Sequence, residues 1–285
     1  MSRPFASLSV LAAVVLVACA PKEPPAEQAA APAPEPANVV NVTATEFAYT
    51  MPDTLPAGWT SFRMTNAGKE LHHLTLVRLE EGKTLDDLLA AMGTGMPGPW
   101  ATFAGGPNAV VGPMVSDVTM ELTPGNYAAL CVIPSPDGKP HVMKGMSKAL
   151  TVVPSDVVRS APVEDLTLTL NDYSFTWSAP LTPGKHVVKV VNAAAQGHEL
   201  IFAQLAPGKT AADMVAFVEG LEKGKVTGPP PGMPYSGIAF MAPGQVNYIT
   251  LDVQPGEYAE LCVVPDAKDG KPHVAHGMVA QITVK

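Results

Sequence analysis

The sequence predicts an all-β protein that consists of two tandem β-sandwiches, each with one short inserted helix. Its 285 residues include 30 prolines and 24 glycines but only 15% charged residues, a composition that favours many short strands joined by turns. Two stretches of the chain repeat the same pattern of residues. The length also suffices for two domains of roughly 100–200 residues each, every one with its own core.

The N-terminal segment is expected to be an export signal followed by a spacer. An apolar run over residues 6–17 follows a basic residue and is too short to span a bilayer. Residues 16–19, Leu-Val-Ala-Cys, resemble the lipobox of bacterial lipoproteins, which implies a signal peptide over residues 1–18 and acylation of Cys19. Residues 19–38 are then the lipidated cysteine and a Pro/Ala-rich linker. An ordinary secretory signal that ends near a cysteine is the alternative.

Charge and the lipobox resemblance limit the expected partners and location. The formal net charge is −8 and no segment has clustered Lys or Arg, so a nucleic acid is not an expected partner. The resemblance implies a location in the bacterial cell envelope, facing the periplasm, with the membrane contacted by the lipid anchor only. Ala20 rather than Asp follows the cysteine, which favours the outer membrane.

The remainder of the chain is a duplication. Residues 47–84 align with residues 173–210 without a gap, so that Asn66 corresponds to Asn192. Further along, LTPGNYAALCVIP corresponds to VQPGEYAELCVVP. The expected organisation is a first half, a linker and a second half, over residues 39–153, 154–164 and 165–285.

Short segments within each half predict strands, and one segment in each predicts a helix. The helical segments, residues 84–92 and 210–223, begin with a Thr suited to cap the helix and repeat apolar residues at intervals of three and four. The strand segments are rich in Val, Ile, Thr and Leu and are bounded by turn residues. They are SFRMTN, HLTLVRL, VTMEL and KALTVV in the first half and HVVKVVN, ELIFAQL, YITLDV and AQITVK in the second.

Four side chains that can bind a metal recur in both halves. Each half has an upstream His, a Cys at the end of Tyr-x-x-x-Cys, a His beyond a Pro-containing loop, and a Met five residues later. Two imidazoles, one thiolate and a weak thioether form a ligand set that copper accepts in both oxidation states, so the pattern points to one-electron transfer. The residues are His72, Cys131, His141 and Met146 (the first site) and His198, Cys262, His273 and Met278 (the second site).

These motifs resemble the type 1 (blue) copper site of the cupredoxin family, which includes plastocyanin and azurin. Asn-Ala-Gly precedes a His-x-Leu strand, Gly-x-Tyr-x-x-x-Cys follows, and the cysteine is followed by His-x-x-x-x-Met. The resemblance covers nearly all of both halves. It implies two tandem cupredoxin-like Greek-key β-sandwiches with one type 1 copper per domain. Because the second histidine is partly exposed in the family, it also implies that the edge of His141 or His273 is the electron port.

The expected function is that of a lipid-anchored, two-domain blue copper protein that carries single electrons and is not an enzyme. Redox proteins such as cytochromes are the expected partners. A nitrite-reductase-like enzyme is less favoured, because in that family a histidine directly precedes the blue-site cysteine, whereas Leu130 and Leu261 stand here. A copper-binding or delivery protein and a metal-free structural tandem remain alternatives.

Other interpretations of the same residues also stay open. Cys131 and Cys262 could form a disulfide, or could be two inert buried thiols. His73 is matched by Glu199 in the repeat, so we expect it to face solvent rather than bind metal. His276 is expected to be an exposed polar side chain.

Overall fold

The structure, a computed structural model, describes residues 36–222, residue 225 and residues 228–285. The expected signal peptide, the lipidated Cys19 and most of the N-terminal linker lie outside these residues. Within the described part, no helix has both the length and the apolar character needed to cross a membrane.

The described part of each half consists of strands with one helix inserted. In the first half the elements are β1 (Asn38–Thr45), β2 (Ala48–Thr50), β3 (Thr54–Pro56), β4 (Gly58–Asn66), β5 (Thr75–Leu79), α1 (Leu85–Met92), β6 (Ala101–Gly105), β7 (Val115–Leu122), β8 (Gly125–Leu130) and β9 (Ser147–Val153). In the second half they are β10 (Leu166–Asn171), β11 (Ser174–Trp177), β12 (Gly184–Asn192), β13 (His198–Leu205), α2 (Ala211–Glu222), β14 (Gly232–Met241), β15 (Val246–Val253), β16 (Gly256–Leu261) and β17 (Val279–Val284).

The predicted fold class is confirmed: the described part of the chain is all-β with two short helices, and each half supplies strands to both of two sheets. Each of the eight predicted strand segments lies on a strand, and both predicted helices are present. Helix α1 begins where expected, because Thr84 Oγ1 accepts a hydrogen bond from Asp87 N while the Asp87 carboxylate accepts one from Thr84 N. This capping box satisfies two amide groups that the first helical turn cannot pair.

Two sheets form the sandwich, and each sheet continues through both halves. One has the strand order β11-β10-β12-β15-β7-β4-β1-β2, and the other has the order β17-β16-β13-β14-β6-β5-β8-β9-β3. Alternate residues of β1, namely Val40, Val42 and Ala44, are buried, as expected for a strand with one face on the core. Phe62 and Phe202 are among the fully buried side chains of the core, one from each half.

The two halves meet in an arrangement like that of a symmetric dimer. Strand β7 pairs antiparallel with β15, and Val118 lies opposite Ile249, its counterpart in the repeat. In the other sheet β6 pairs antiparallel with β14, and Pro107 lies opposite its own counterpart, Ile238. Antiparallel pairing of equivalent residues is what a two-fold axis produces. We call this junction the seam.

Two buried asparagines join the halves at the seam. Asn247 Nδ2 donates to Ala104 O (2.9 Å), and Asn247 Oδ1 accepts from Gly106 N (3.2 Å). Asn108 Nδ2 donates to Leu200 O (3.0 Å) and to Ile238 O (3.2 Å). The backbone between β9 and β10 forms no helix or extended strand, and the domain limits given above stay a prediction.

Candidate metal centres

Strand pairing brings the distant parts of the first site together. Strand β5 runs antiparallel to β8, with Thr75 opposite Leu130, so the start of β5 lies beside the end of β8. His72 precedes the first of these ends and Cys131 follows the second. His141 lies in a 3₁₀ turn beyond the cysteine loop, and its backbone N donates to a carbonyl of that loop. The order of residues along the chain and one antiparallel strand pairing therefore suffice to bring His72, Cys131 and His141 together.

In the first site, three potential ligand atoms converge in a buried cluster. His141 Nδ1 lies 3.4 Å from Cys131 Sγ and 3.1 Å from His72 Nδ1. All three side chains are completely buried. One sulfur and two ring nitrogens therefore face one another away from solvent.

The second site has the same arrangement. Cys262 Sγ lies 3.7 Å from His198 Nδ1 and 3.4 Å from His273 Nδ1, and all three residues are completely buried. In each site the three ligand atoms lie within 4.8 Å of one another. Within the described residues, the sites that the repeat predicted are thus brought together in both halves.

Each methionine is held beside its cysteine and its second histidine by backbone hydrogen bonds. Cys131 N donates to Met146 O (3.2 Å), and Met146 N donates to His141 O (3.0 Å); the second site repeats both bonds at the same distances. Both methionine side chains are fully buried. The turn before each methionine ends in a glycine, Gly145 or Gly277, with φ of 100° and 93°, a conformation that other residues rarely adopt. The axial role of the methionines stays a prediction.

Every histidine of the two sites has a carboxylate near its outer nitrogen, Nε2. Only His141 and His198 are hydrogen-bonded to it, since Nε2 of His72 and of His273 has no hydrogen-bond partner among the described residues. A hydrogen-bonded carboxylate keeps the ring proton on Nε2 and leaves the Nδ1 lone pair free, an arrangement typical of metal-binding histidines. The pairs are His141 with Glu70 (2.9 Å), His72 with Glu46 (3.7 Å), His198 with Asp172 (3.2 Å) and His273 with Asp266 (3.7 Å).

Sequence reasoning missed these four carboxylates. One signal was available, since Glu46 and Asp172 correspond in the repeat and each directly precedes an aromatic residue. Glu70 and Asp266 have no acidic counterpart in the other half, so the repeat gave no indication of them. Hydrogen bonds from two backbone amides lower the pKa of Glu46 to about 2, which keeps this carboxylate charged.

Burial sets the protonation of the ligands. It lowers the pKa of His72, His198 and His273, so these imidazoles are neutral at pH 7. It also raises the pKa of Cys131 to about 11 and raises the pKa of Cys262. A metal that binds here therefore displaces a thiol proton but competes with no proton on these histidines.

The residues present fit a copper ion. Separations of 3.1 to 3.7 Å between ligand atoms are those expected when each atom lies about 2.0–2.3 Å from one shared ion. Two imidazole nitrogens, one sulfur and an adjacent buried thioether are soft and borderline donors that suit copper. Each half carries its donor set where the strand ends β5/β8 and β13/β16 meet.

The expected exposure of the second histidine is wrong, because His141 and His273 are both completely buried. An aromatic ring covers each of them: Phe47 lies 5.1 Å from His141 and Tyr173 lies 5.5 Å from His273 between ring centroids. These two aromatic residues correspond in the repeat and both have positive φ, 105° and 63°. Bulky residues rarely adopt this conformation, which costs on the order of 1–3 kcal/mol. The same strained cover is therefore built into both halves.

The prediction that His73 faces solvent is also wrong. His73 is only 5% exposed, and its Nε2 accepts a hydrogen bond from Val132 N, the amide that follows the cysteine (3.4 Å). Burial lowers the pKa of His73 to about 4, which keeps this acceptor unprotonated. In the second half Glu199 Oε1 accepts from Val263 N in the same way (3.1 Å). His73 and Glu199 thus accept the same backbone hydrogen bond at equivalent positions. Because His and Glu differ in chemistry, this equivalence could not be recognised in the sequence.

The structure excludes a disulfide between the two buried cysteines, since both are free thiols and each lies in its own cluster. His276 is exposed, as predicted, and its Nε2 contacts Asp269 Oδ1 (3.1 Å). These two residues and Asp266 form a third group of possible ligands. In the first half the equivalent of His276 is Lys144, which forms an ion pair with a carboxylate, so we assign the same role to His276.

Comparisons with known proteins found only distant similarity. No protein-family model and no curated protein matches the chain. Among solved structures it is similar to auracyanin B, with 20% identity and a TM-score of 0.30 over 46% of this chain and 95% of that one. A reduced auracyanin from Roseiflexus castenholzii has 18% identity and a TM-score of 0.31, over 42% of this chain and 99% of that one. A copper-containing nitrite reductase from Thermus scotoductus has 12% identity and a TM-score of 0.24, over 88% of this chain and 62% of that one. At these TM-scores, no function is assigned from the similarity.

Proposed function

We propose that the protein is a two-domain blue copper protein that carries single electrons in the bacterial cell envelope. The observation that carries this proposal is the convergence, in each half, of two Nδ1 atoms and one cysteine sulfur in a fully buried cluster. Copper bound by the first and second sites would supply a one-electron couple that needs no proton or substrate.

The residues of the chain have separate parts in this role. The histidines bind through Nδ1, because their Nε2 atoms face carboxylates. The aromatic covers, Phe47 and Tyr173, keep water from the second histidines. A preformed, dry and closed site favours electron transfer because little rearranges when the charge of the metal changes.

A carrier would differ from an enzyme in that its copper has no open coordination position. Leu130 and Leu261 directly precede the two cysteines, where a nitrite-reductase-like enzyme of this family has a histidine. Among the described residues, no group of three histidines that could hold a second type of copper is found. These observations support the carrier.

Copper capture and delivery is the second candidate function. It is favoured by the complete burial of His141 and His273, which leaves no imidazole edge at the surface for a redox partner. A protein of this kind would bind Cu(I) in preference and release it to a chaperone, whereas a carrier holds both oxidation states.

The membrane attachment and the partners are also proposed. Cys19, outside the described residues, would carry the lipid that anchors the protein. Because Ala20 follows this cysteine, we propose that the anchor lies in the outer membrane. The acidic chain, with net charge −8, would select basic faces of redox proteins such as cytochromes by electrostatic steering. Replacement of Cys19 by Ser should move the protein from the membrane fraction to the soluble fraction.

The copper proposal is tested by adding Cu(II) to residues 20–285 and recording the visible absorption and electron spin resonance spectra. An intense thiolate-to-copper band is expected, and Cys131→Ser and Cys262→Ser should each remove a part of it. His276→Ala, at the exposed histidine, is the control and should leave the band unchanged. Uptake of Cu(I) without the band would indicate capture, and no uptake of copper would leave a metal-free structural tandem.

A further inference from the structure

We propose that Asn108, a residue of the first half, is a positioning residue of the second site. The inference rests on the proposed function, since it concerns how firmly that site holds its metal. At the corresponding place in the repeat the chain has Ala239, which has no polar side chain. The first site is therefore supported by its own half, whereas the second site depends on the seam.

Asn108 joins the two halves with the two ends of its side-chain amide. Its Oδ1 atom accepts a hydrogen bond from Ala109 N (2.7 Å) in its own half, which directs Nδ2 towards the other half. There Nδ2 donates to Leu200 O (3.0 Å), Ile238 O (3.2 Å) and Glu199 Oε2 (3.3 Å). Two amide protons serve three acceptors, so one proton is shared. Asn108 is only 3% exposed, so water competes little for these bonds.

Glu199 connects Asn108 to the second site. It directly follows His198, and its backbone amide donates to Cys262 Sγ (3.4 Å). Its Oε1 atom accepts a hydrogen bond from Val263 N (3.1 Å), the amide that follows the cysteine. One carboxyl oxygen of Glu199 is thus held by each half of the chain. Loss of the Asn108 bond would release this side chain beside two of the proposed ligands.

The first site obtains the equivalent support from within its own half. His73 corresponds to Glu199, and its Nε2 atom accepts from Val132 N. Its other ring nitrogen, Nδ1, lies 3.3 Å from the hydroxyl of Thr75, two residues further along the chain. The residue that corresponds to Thr75 is Ile201, which has no hydroxyl. The first half therefore uses a local hydroxyl where the second half uses an amide from across the seam.

The first experiment measures Cu(II) affinity by competition titration against a chelator, with one site present at a time. Cys131→Ser leaves the second site, where Asn108→Ala should lower the affinity about tenfold and shift the blue absorption band. This is the low end of the effect of outer partners of metal ligands, because Asn108 acts through another side chain. Cys262→Ser leaves the first site, where Asn108→Ala should change nothing. Thr75→Val should give the reverse pattern.

Asn247→Ala is the matched control for damage to the seam. Asn247 is also buried and also bonds across the seam, but its partners, Ala104 O and Gly106 N, belong to neither site. This substitution should lower the thermal midpoint and leave the copper affinity of the second site unchanged. Equal losses of affinity in Asn108→Ala and Asn247→Ala would overturn the inference, because Asn108 would then have only a structural role.

A transplant of the arrangement of the first half tests the inference without changing Asn108, in case Asn108→Ala does not fold. Glu199→His alone places a histidine in the second site with no hydroxyl beside it, and should weaken copper binding severalfold. Addition of Ile201→Thr supplies that hydroxyl and should restore the affinity. In the doubly substituted protein, Asn108→Ala should have no further effect. Equal affinities of Glu199→His with and without Ile201→Thr would contradict the inference.

Amide hydrogen exchange in the metal-free protein separates this inference from the proposed function. Asn108→Ala should speed exchange of the Val263 amide severalfold, because its acceptor is no longer held, and should leave the Val132 amide unchanged. An unchanged rate at Val263 would overturn the inference whether or not copper binds. If neither single-site protein binds copper, the proposed function fails, while the exchange rate still reports whether Asn108 holds Glu199.

Discussion

Glu70 accepts a hydrogen bond from His141 Nε2 across 2.9 Å, behind the cysteine and histidine that would hold the metal. The nearby Ser135 hydroxyl and the hydrogen bond from His141 lower the pKa of Glu70, so this carboxylate is charged. His198 Nε2 has the same kind of bond to Asp172 (3.2 Å), and a carboxylate lies 3.7 Å from Nε2 of His72 and of His273, which gives both sites an acidic surround. Partners of this kind fix the orientation of a histidine ligand and make its other nitrogen a better donor.

Replacement of Glu70 by Gln should weaken copper binding at the first site. The amide retains an oxygen that can accept from His141, but the negative charge is lost, so a decrease in Cu(II) affinity of roughly 10–100-fold is expected. Competition titration against a chelator in the Cys262→Ser background measures this. Glu80→Gln, an exposed change at the opposite end of β5, is the charge-matched control. Equal affinities of the two variants would contradict a role for the carboxylate.

Removal of the Phe47 ring should expose the edge of His141. Glycine is the suitable replacement, because it tolerates the φ of 105° that Phe47 adopts. In the Cys262→Ser background, we expect Phe47→Gly to react severalfold faster with a small inorganic oxidant such as hexacyanoferrate, followed by stopped-flow absorption. Tyr173→Gly in the same background acts on the other site and should leave the rate unchanged. An unchanged rate in Phe47→Gly would show that the ring does not limit access.

Buried Glu260 should make the protein less stable as the pH rises. Trp177 Nε1 donates to one carboxylate oxygen (2.9 Å), and burial raises the pKa of Glu260 from 4.5 to about 8. Between pH 4.5 and about 8, the folded state therefore retains a proton that the unfolded chain loses. The contribution of Glu260 to the free energy of unfolding is fully present below pH 4.5 and disappears as the pH rises to about 8. The expected loss is at most about 1.4 kcal/mol per pH unit.

Urea unfolding at pH 5.5 and 7.5 tests this effect of Glu260. The free energy of unfolding of the unmodified protein should fall relative to that of Glu260→Gln, by roughly 2 kcal/mol over the interval. Glu257→Gln, on the same strand but exposed to solvent at its carboxylate, is the control. Parallel pH profiles for the protein and Glu260→Gln would refute the prediction.

The continuous sheets predict that both halves unfold together. Asn247→Ala removes two bonds across the seam and leaves the buried groups Ala104 O and Gly106 N without this partner. We expect one cooperative thermal transition at a lower midpoint, with a loss of about 2–4 kcal/mol. Asn171→Ala, which removes a bond within the second half, should have a small effect. Two separate transitions in calorimetry would show instead that the halves are independent.

Much of the fold and of the sites could be predicted, because the relevant signals are local. Alternating apolar residues marked the strands, and Thr84 with Asp87 marked the start of α1. The spacing from each cysteine to its histidine and methionine lies within one loop, so the repeat was enough to identify these side chains. What failed was the prediction of exposure: His73, His141 and His273 are all buried.

By itself, the sequence determined that the protein is a duplicated all-β chain with one set of His, Cys, His and Met in each half. Residue type, spacing and repetition are properties of the chain before it folds. Only the tertiary structure decided which carboxylate faces which histidine, which ring covers it, and where the two halves join. Glu70 and His141 are 71 residues apart, and such a contact exists only once packing and strand register have brought its partners together. The bond from the Tyr49 hydroxyl to His73 O depends on the same long-range packing.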